Sequence, residues 1–356
     1  MSELSIVQRL ALEMHRSMYL NAVKEHPLRE VLWESTLRCN LRCSHCGSDC
    51  KAESNVSDMP IEDFLKALDS VSAHTDPHKV MVVVTGGEPL MRADLERCGC
   101  EFYRRGFPWG MVTNGFALTP ERLERLLASG LRSITVSLDG MRQEHDWMRG
   151  REGSFEKAAR AIRMIAQSGI ANDVVTCVNR KNIDQLQMIH DFLVESGAGG
   201  WRIFTVFPQG RAKNDPDMQL SGSDIRRVME FIKDVRREGK IRCSFACEGF
   251  LGRYEGQVRN NFYTCSAGVF TASVLADGSI SACSSIRADY HQGNIYEDDF
   301  WEVWQHRFNR YRDRSWMQEG ECAGCRYFRY CHGNGMHLRD SEGHLMQCLL
   351  NKMNGQ

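Results

Sequence analysis

Cys39, Cys43 and Cys46, in the run Cys-Asn-Leu-Arg-Cys-Ser-His-Cys, are the side chains of this sequence best placed to do chemistry. Thiolates at that spacing can hold three irons of a 4Fe–4S cluster, which takes four ligands. The fourth iron is then left for a small molecule, and an electron-transfer centre becomes a reactive one. Zinc and a plain ferredoxin-type cluster are the rival occupants. Zinc would need a fourth ligand close by, and Cys50 or His45 could be nominated.

Four further groups of residues stand at the ends of successive predicted strands. Gly86-Gly87-Glu88-Pro89 ends the second strand. Its glycines allow a backbone to approach a ligand closely, and Glu88 can accept from an ammonium group. Thr113-Asn114-Gly115 ends the third strand, Ser137-Leu138-Asp139-Gly140 the fourth, and the fifth ends near Asn179. Any one of these is an ordinary strand-to-helix turn, since glycine and asparagine favour turns. Their register downstream of the cysteine loop argues for a ligand site and against structural zinc, which has no use for them.

The elements that position these residues follow a strand–helix rhythm. Strands are predicted at Val31–Thr36, Val80–Thr85, Trp109–Asn114, Ser133–Asp139, Asp173–Asn179 and Trp201–Pro208. Several are continuous β-branched runs, as expected of parallel strands buried on both faces. Helical periodicity fills the gaps, as in Ile61, Phe64, Leu65, Leu68 and Val71, and a sixth helix spans about Ser223–Arg237. The fold class is therefore α/β, a partial (β/α)6 TIM-like barrel with its chemistry at the C-terminal ends of the strands. Residues 1–30 form an N-terminal helical extension whose apolar positions are Ile6, Leu10, Leu12, Met14, Met18, Leu20 and Val23. The barrel occupies 31–240. Residues 241–356 form a cysteine-rich domain with short strands around Gly278 and an aromatic helix at Asp299–Tyr311.

The Cys-x3-Cys-x2-Cys loop, the Gly-Gly-Glu-Pro turn and the Ser-Leu-Asp-Gly strand end resemble those of the radical S-adenosylmethionine (SAM) enzymes, over about residues 30–240. The resemblance implies that Cys39, Cys43 and Cys46 bind a cluster whose open iron chelates the amino and carboxylate groups of SAM. Gly86, Gly87, Glu88 and Pro89 would hold the methionine ammonium. Thr113, Asn114 and Asn179 would belong to the same cofactor site, Ser137 and Asp139 would contact the methionine or ribose, and His45 would lie near adenine. One electron then cleaves the sulfonium bond, and the 5′-deoxyadenosyl radical takes hydrogen from an unactivated carbon. A flavodoxin or ferredoxin is the implied electron donor.

The later cysteines resemble the auxiliary-cluster SPASM domain. Cys265 is followed by Gly278 and Cys283, then by Cys322-x2-Cys325-x5-Cys331 and Cys348. By that resemblance Cys322, Cys325, Cys331 and Cys348 make one four-cysteine iron–sulfur cluster, with zinc the alternative metal. A second cluster would need a cysteine where this chain has Gly335, so either its ligation is unusual, with an open iron, or it is absent. Cys243, Cys247, His332 and His337 are available, and the favoured set is Cys265 and Cys283 with one or both of Cys243 and Cys247. Cys50, Cys98, Cys100 and Cys177 are read as structural thiols.

The composition adds limits. A net charge of −1 over 356 residues gives no global field for nucleic acid or an anionic membrane. No apolar run is long enough to cross a bilayer. Fifteen cysteines, an odd count, suit a reducing cytoplasm better than disulfides. The expected function is peptide or protein maturation by hydrogen abstraction. The alternatives are the same architecture acting on a small molecule, of tetrapyrrole or aminocyclitol type, and a non-catalytic iron–sulfur electron carrier. Sulfatase maturation is disfavoured, since those enzymes carry aspartate where this chain has Ser284. The 38 residues before Cys39 are too few for a winged-helix leader-binding domain, which leaves recognition to the barrel mouth, the SPASM domain or a separate protein.

Overall fold

A computed structural model describes residues 4–355. Ten strands form one sheet: β1 (Glu30–Glu34), β2 (Met81–Thr85), β3 (Trp109–Thr113), β4 (Leu131–Ser137), β5 (Ala171–Val178), β6 (Trp201–Thr205), β7 (Cys243–Phe245), β8 (Thr271–Val274), β9 (Ser279–Ser281) and β10 (Gly293–Asn294). Strands β1 to β7 lie side by side in chain order, all parallel. This is the partial barrel, and the cysteine-rich segment extends it: β8 pairs parallel with β1, and β9 and β10 follow antiparallel. Residues past 240 thus supply a strand to each edge of the barrel sheet.

The helices are α1 (Ile6–Glu25), α2 (Ile61–Ser72), α3 (Leu95–Arg104), α4 (Pro120–Ala128), α5 (Arg142–Arg149), α6 (Ser154–Ser168), α7 (Leu186–Glu195) and α8 (Gly222–Glu238). A capping box of Ser221 and Asp224 starts α8, and Gly239 in the left-handed region ends it. The aromatic helix expected at Asp299–Tyr311 is two pieces, Phe300–His306 and Asn309–Arg312.

The six expected strands are present, but most stop short of their predicted ends. Their last residues leave the ladder to build the site loops. Burial also differs from expectation. In β2, Val82 and Val84 are fully buried while Met81, Val83 and Thr85 are half-buried. One face of β2 packs on the helices and the other looks into the lumen, so this strand is not buried on both faces, whereas β3 is buried at all but Val112. Helix α1 keeps only part of the predicted face inside: Leu12 is buried with Tyr19, Leu20 and Val23 are half-buried, and Ile6, Leu10, Met14 and Met18 are exposed. Its inner face is chosen by polar and aromatic contacts with the tail. Tyr330 donates to Glu13 at 2.7 Å, His15 pairs with Thr264 at 2.7 Å, and Tyr19 lies 5.2 Å from the His332 ring.

Candidate functional site

The cysteine loop leaves the end of β1 and is clamped from three sides. Arg92, buried over the Trp33 ring, donates to the carbonyls of Ser35 and Met59 at 2.7 and 3.0 Å. The second clamp is the Gly86-Gly87 turn after β2, where the Gly87 and Glu88 amides donate to the carbonyls of Thr36 and Arg38. A β-carbon at Gly86 would stand 2.2 Å from the Thr36 oxygen, and one at Gly87 2.3 Å from the Arg38 oxygen. Gly86 also has φ of +137°. The close approach these glycines permit is therefore to the cysteine loop itself. On the third side the loop rests on α5: Ser44 donates to the Met148 carbonyl, and Arg211 donates to the Cys43 carbonyl at 2.6 Å.

Glu88 binds the strand ends together. Its buried carboxylate accepts from Leu90 N, Thr113 Oγ1 at 2.7 Å and Asn114 N at 2.8 Å. Burial raises its pKa against those hydrogen bonds. Asn114 in turn donates to Asn40 at 2.8 Å and approaches Cys39 Sγ at 3.9 Å. The strand-end residues are thus one connected scaffold for the thiols.

Arg149, at the end of α5, is a site residue the sequence reading missed. Its Nη1 lies 3.6 Å from Cys43 Sγ, and its Nη2 forms a buried ion pair with Asp139. Helix α5 is short and strongly charged, with no aliphatic stripe to announce it. The faint signal is the isolated arginine before Gly150, ten residues beyond Asp139.

A cavity of about 400 Å³ opens beside these groups. Cys39, Cys43, Cys46, His45, Gly86, Gly87, Glu88, Thr113, Asn114 and Ser137 all line it, and so do Cys50 and Cys177. Pro89, Asp139 and Asn179 lie outside this lining. Pro89 is buried at the start of a 3-10 turn. Asp139 is engaged by Arg149 and by Cys177 N at 2.8 Å, with His45 Nε2 3.8 Å away. Burial is the largest influence and raises the Asp139 pKa, but Arg149, His45, His145 and the Cys177 amide together outweigh it and the group ends lowered. Asn179 organises its own turn, accepting from Lys181 N at 2.8 Å. His45 is held neutral by burial, its pKa down to about 4.

The late cysteines fall into two sets. Cys322, Cys325, Cys331 and Cys348 surround one small cavity of about 20 Å³. Arg339 approaches Cys322 Sγ at 3.4 Å. In the other set, Cys247 is an exposed residue whose pKa is raised to about 12, first by the desolvation of its thiol and then by the charges of Cys265 and Cys283. Cys265 runs the opposite way: burial raises it, but the Arg314 charge and the Met336 amide carry it below its ordinary value. Cys243 does not join them. It is a core residue of β7 whose thiol is raised to about 12 by burial, with Arg236 its only charged influence.

The donor sets fit clusters better than single ions. A tetrahedral zinc site holds its sulfurs about 3.8 Å apart, from Zn–S bonds of about 2.3 Å. Among the described residues, no three cysteine sulfurs lie within 4.8 Å of one another.

Comparison with known proteins agrees. The family model described as the radical SAM superfamily matches residues 33–193, and that of the SPASM iron–sulfur cluster-binding domain matches 265–326. The AdoMet-dependent heme synthase of Methanosarcina barkeri is 27% identical, over 86% of this chain and 90% of that protein. Mycofactocin maturase MftC of Mycolicibacterium smegmatis is 28% identical, over 86% of this chain and 77% of its own length. Streptococcus suis SuiB, solved with S-adenosylmethionine, shares the fold at a TM-score of 0.71 and 16% identity, covering 94% of this chain and 80% of that one. The chain thus carries a radical SAM domain followed by a SPASM domain. It is an enzyme whose cofactors are a 4Fe–4S cluster, SAM and auxiliary iron–sulfur clusters. No helix among the described residues is long and apolar enough to cross a membrane.

Proposed function

We propose that this enzyme takes hydrogen from a small, carboxylate-bearing molecule, with tetrapyrrole side chains the substrate class. Cys39, Cys43 and Cys46 hold the cluster, and Gly86–Glu88, Ser137 and Arg149 receive the amino acid end of SAM. Bound there, cluster and nucleotide supply one-electron cleavage of the sulfonium bond and a 5′-deoxyadenosyl radical. The cavity orients the substrate and excludes water. A flavodoxin or ferredoxin supplies the electron.

The observation that carries the substrate class is the cavity's arginine lining. Arg149, Arg202, Arg211 and Arg287 all face it, and of their carboxylate partners Asp139, Asp173, Asp49 and Glu34 only Glu34 is also in the lining. The lining is therefore rich in guanidinium groups while most of their counter-charges lie outside it, a balance suited to carboxylates. The match to a heme synthase along nearly its whole length supports the same class. The second reading is peptide or protein maturation, supported by the match to mycofactocin maturase.

Anaerobic protein given SAM, dithionite and either a carboxylate-bearing tetrapyrrole or a peptide panel separates them. The expected result is 5′-deoxyadenosine formation stimulated by the tetrapyrrole, with KM raised about tenfold or more in Arg202→Met or Arg287→Met, the cost of a lost charged hydrogen bond. Stimulation by peptide alone would overturn the small-molecule reading.

A further inference from the structure

The last loops of the chain bring Cys247, Cys265 and Cys283 near one another at the end of β7, and the turn that carries His337 passes the Cys247 backbone. Cys247 follows β7, Cys265 precedes β8 and Cys283 follows β9. Cys265 receives the amide of Met336, the residue beside His337. His337 is only 6% exposed, and its Nε2 is buried without a hydrogen-bond partner. An imidazole nitrogen left in that condition is unfavourable in the folded protein. A group that this expense serves is a bound metal, since neutral imidazole is a common metal ligand.

Gly335 shows why the ring can sit there. A β-carbon built at that position would lie 2.7 Å from His337 Cε1, 3.0 Å from its Nδ1 and 3.2 Å from the Cys247 carbonyl oxygen. Glycine thus makes room for the His337 ring alongside the Cys247 backbone, in the space a side chain at 335 would take. Phe207 backs the ring at 4.7 Å between centroids, from the loop after β6, and also lines the large cavity. His332 is placed differently, half-buried against Tyr19 of α1.

We propose that His337 is the fourth ligand of an auxiliary 4Fe–4S cluster held by Cys247, Cys265 and Cys283. An imidazole in place of a fourth thiolate removes one negative charge from the cluster, which raises its reduction potential, as histidine ligation does in Rieske centres. The ligand also ties this cluster to Phe207 in the wall of the large cavity. The assignment is independent of the substrate class.

The full-length protein, reconstituted anaerobically without SAM and labelled with 15N-histidine, tests it by pulsed EPR of the reduced clusters. The expected result is a histidine-nitrogen coupling that disappears in His337→Ala. His337→Cys, which restores four thiolates, is expected to keep the full iron content, lose the coupling and shift one midpoint potential downward. Absence of histidine coupling in the unmutated protein, or its survival in His337→Ala, overturns the proposal.

Discussion

Cys39, Cys43 and Cys46 stand in the wall of a cavity of about 400 Å³, whereas Cys322, Cys325, Cys331 and Cys348 close around about 20 Å³. Ligand number and space go together: three thiols adjoin room for a reactant, and four leave none. The supports differ as well. The first loop is pinned by strand ends through Gly87, Glu88 and Asn114, in hydrogen bonds that need no metal. The second set hangs on 3-10 turns and one-turn helices between Gly320 and Cys331. Chemistry is thus built on regular structure. The closed site stands on segments that depend on their metal for stability.

The largest effect is expected at the open site. Cys39→Ala, Cys43→Ala or Cys46→Ala should each abolish 5′-deoxyadenosine formation while the C-terminal iron remains, measured by chromatography and by iron and sulfide content. Retained cleavage in any one would break the distinction between the two regions. Cys348→Ser should reverse the pattern, with iron falling by about one cluster per chain. A lowered Tm should accompany it, because the tail loses its cross-link. Zinc recovered at that site would show that it stores no electrons.

Gly87→Ala sharpens the role of regular structure. The added β-carbon meets a backbone oxygen, so the cysteine loop must shift. A cost of about 1–3 kcal/mol in denaturant unfolding is expected, the usual range for overpacking, along with weaker SAM binding. An unchanged loop and affinity would mean that the clamp is not what holds the thiols.

Much of this was legible in the sequence because parallel strands ending in glycine or asparagine carry local signatures. The six strands and the scaffold of Gly86, Glu88, Thr113 and Asn114 could be read that way. What escaped depends on side-chain direction. Asp139 and Asn179 occupy the expected strand ends, yet they face inward to Arg149 and to their own turn. Arg149 sits on a helix that buries His145 and Met148 rather than aliphatic residues, so periodicity did not reveal it. The glycine pair lies against the chain's own cysteine loop as well as the cavity, and no local signature announces that clamp. Helix α1 shows the converse: an apolar stripe at good helical spacing faces outward, since the tail offers Tyr330 and His332 to the other side.

The smallest effect is expected at Cys50, and it tests whether the open site is truly a trio. Cys50 lines the same cavity and is buried beside Cys46. The two thiols share a hydrogen bond that lowers the Cys46 pKa to about 5, further than burial raises it, and drives that of Cys50 upward. Cys46 belongs to the three-cysteine spacing of the loop, and Cys50 stands beside it as a hydrogen-bond partner. Serine keeps an O–H to give to Cys46. Cys50→Ser should leave iron content and SAM cleavage close to the unmutated values, where Cys46→Ser loses both. Equal iron loss in the two variants would make the site a closed quartet like the one in the tail, with no iron free to meet a reactant.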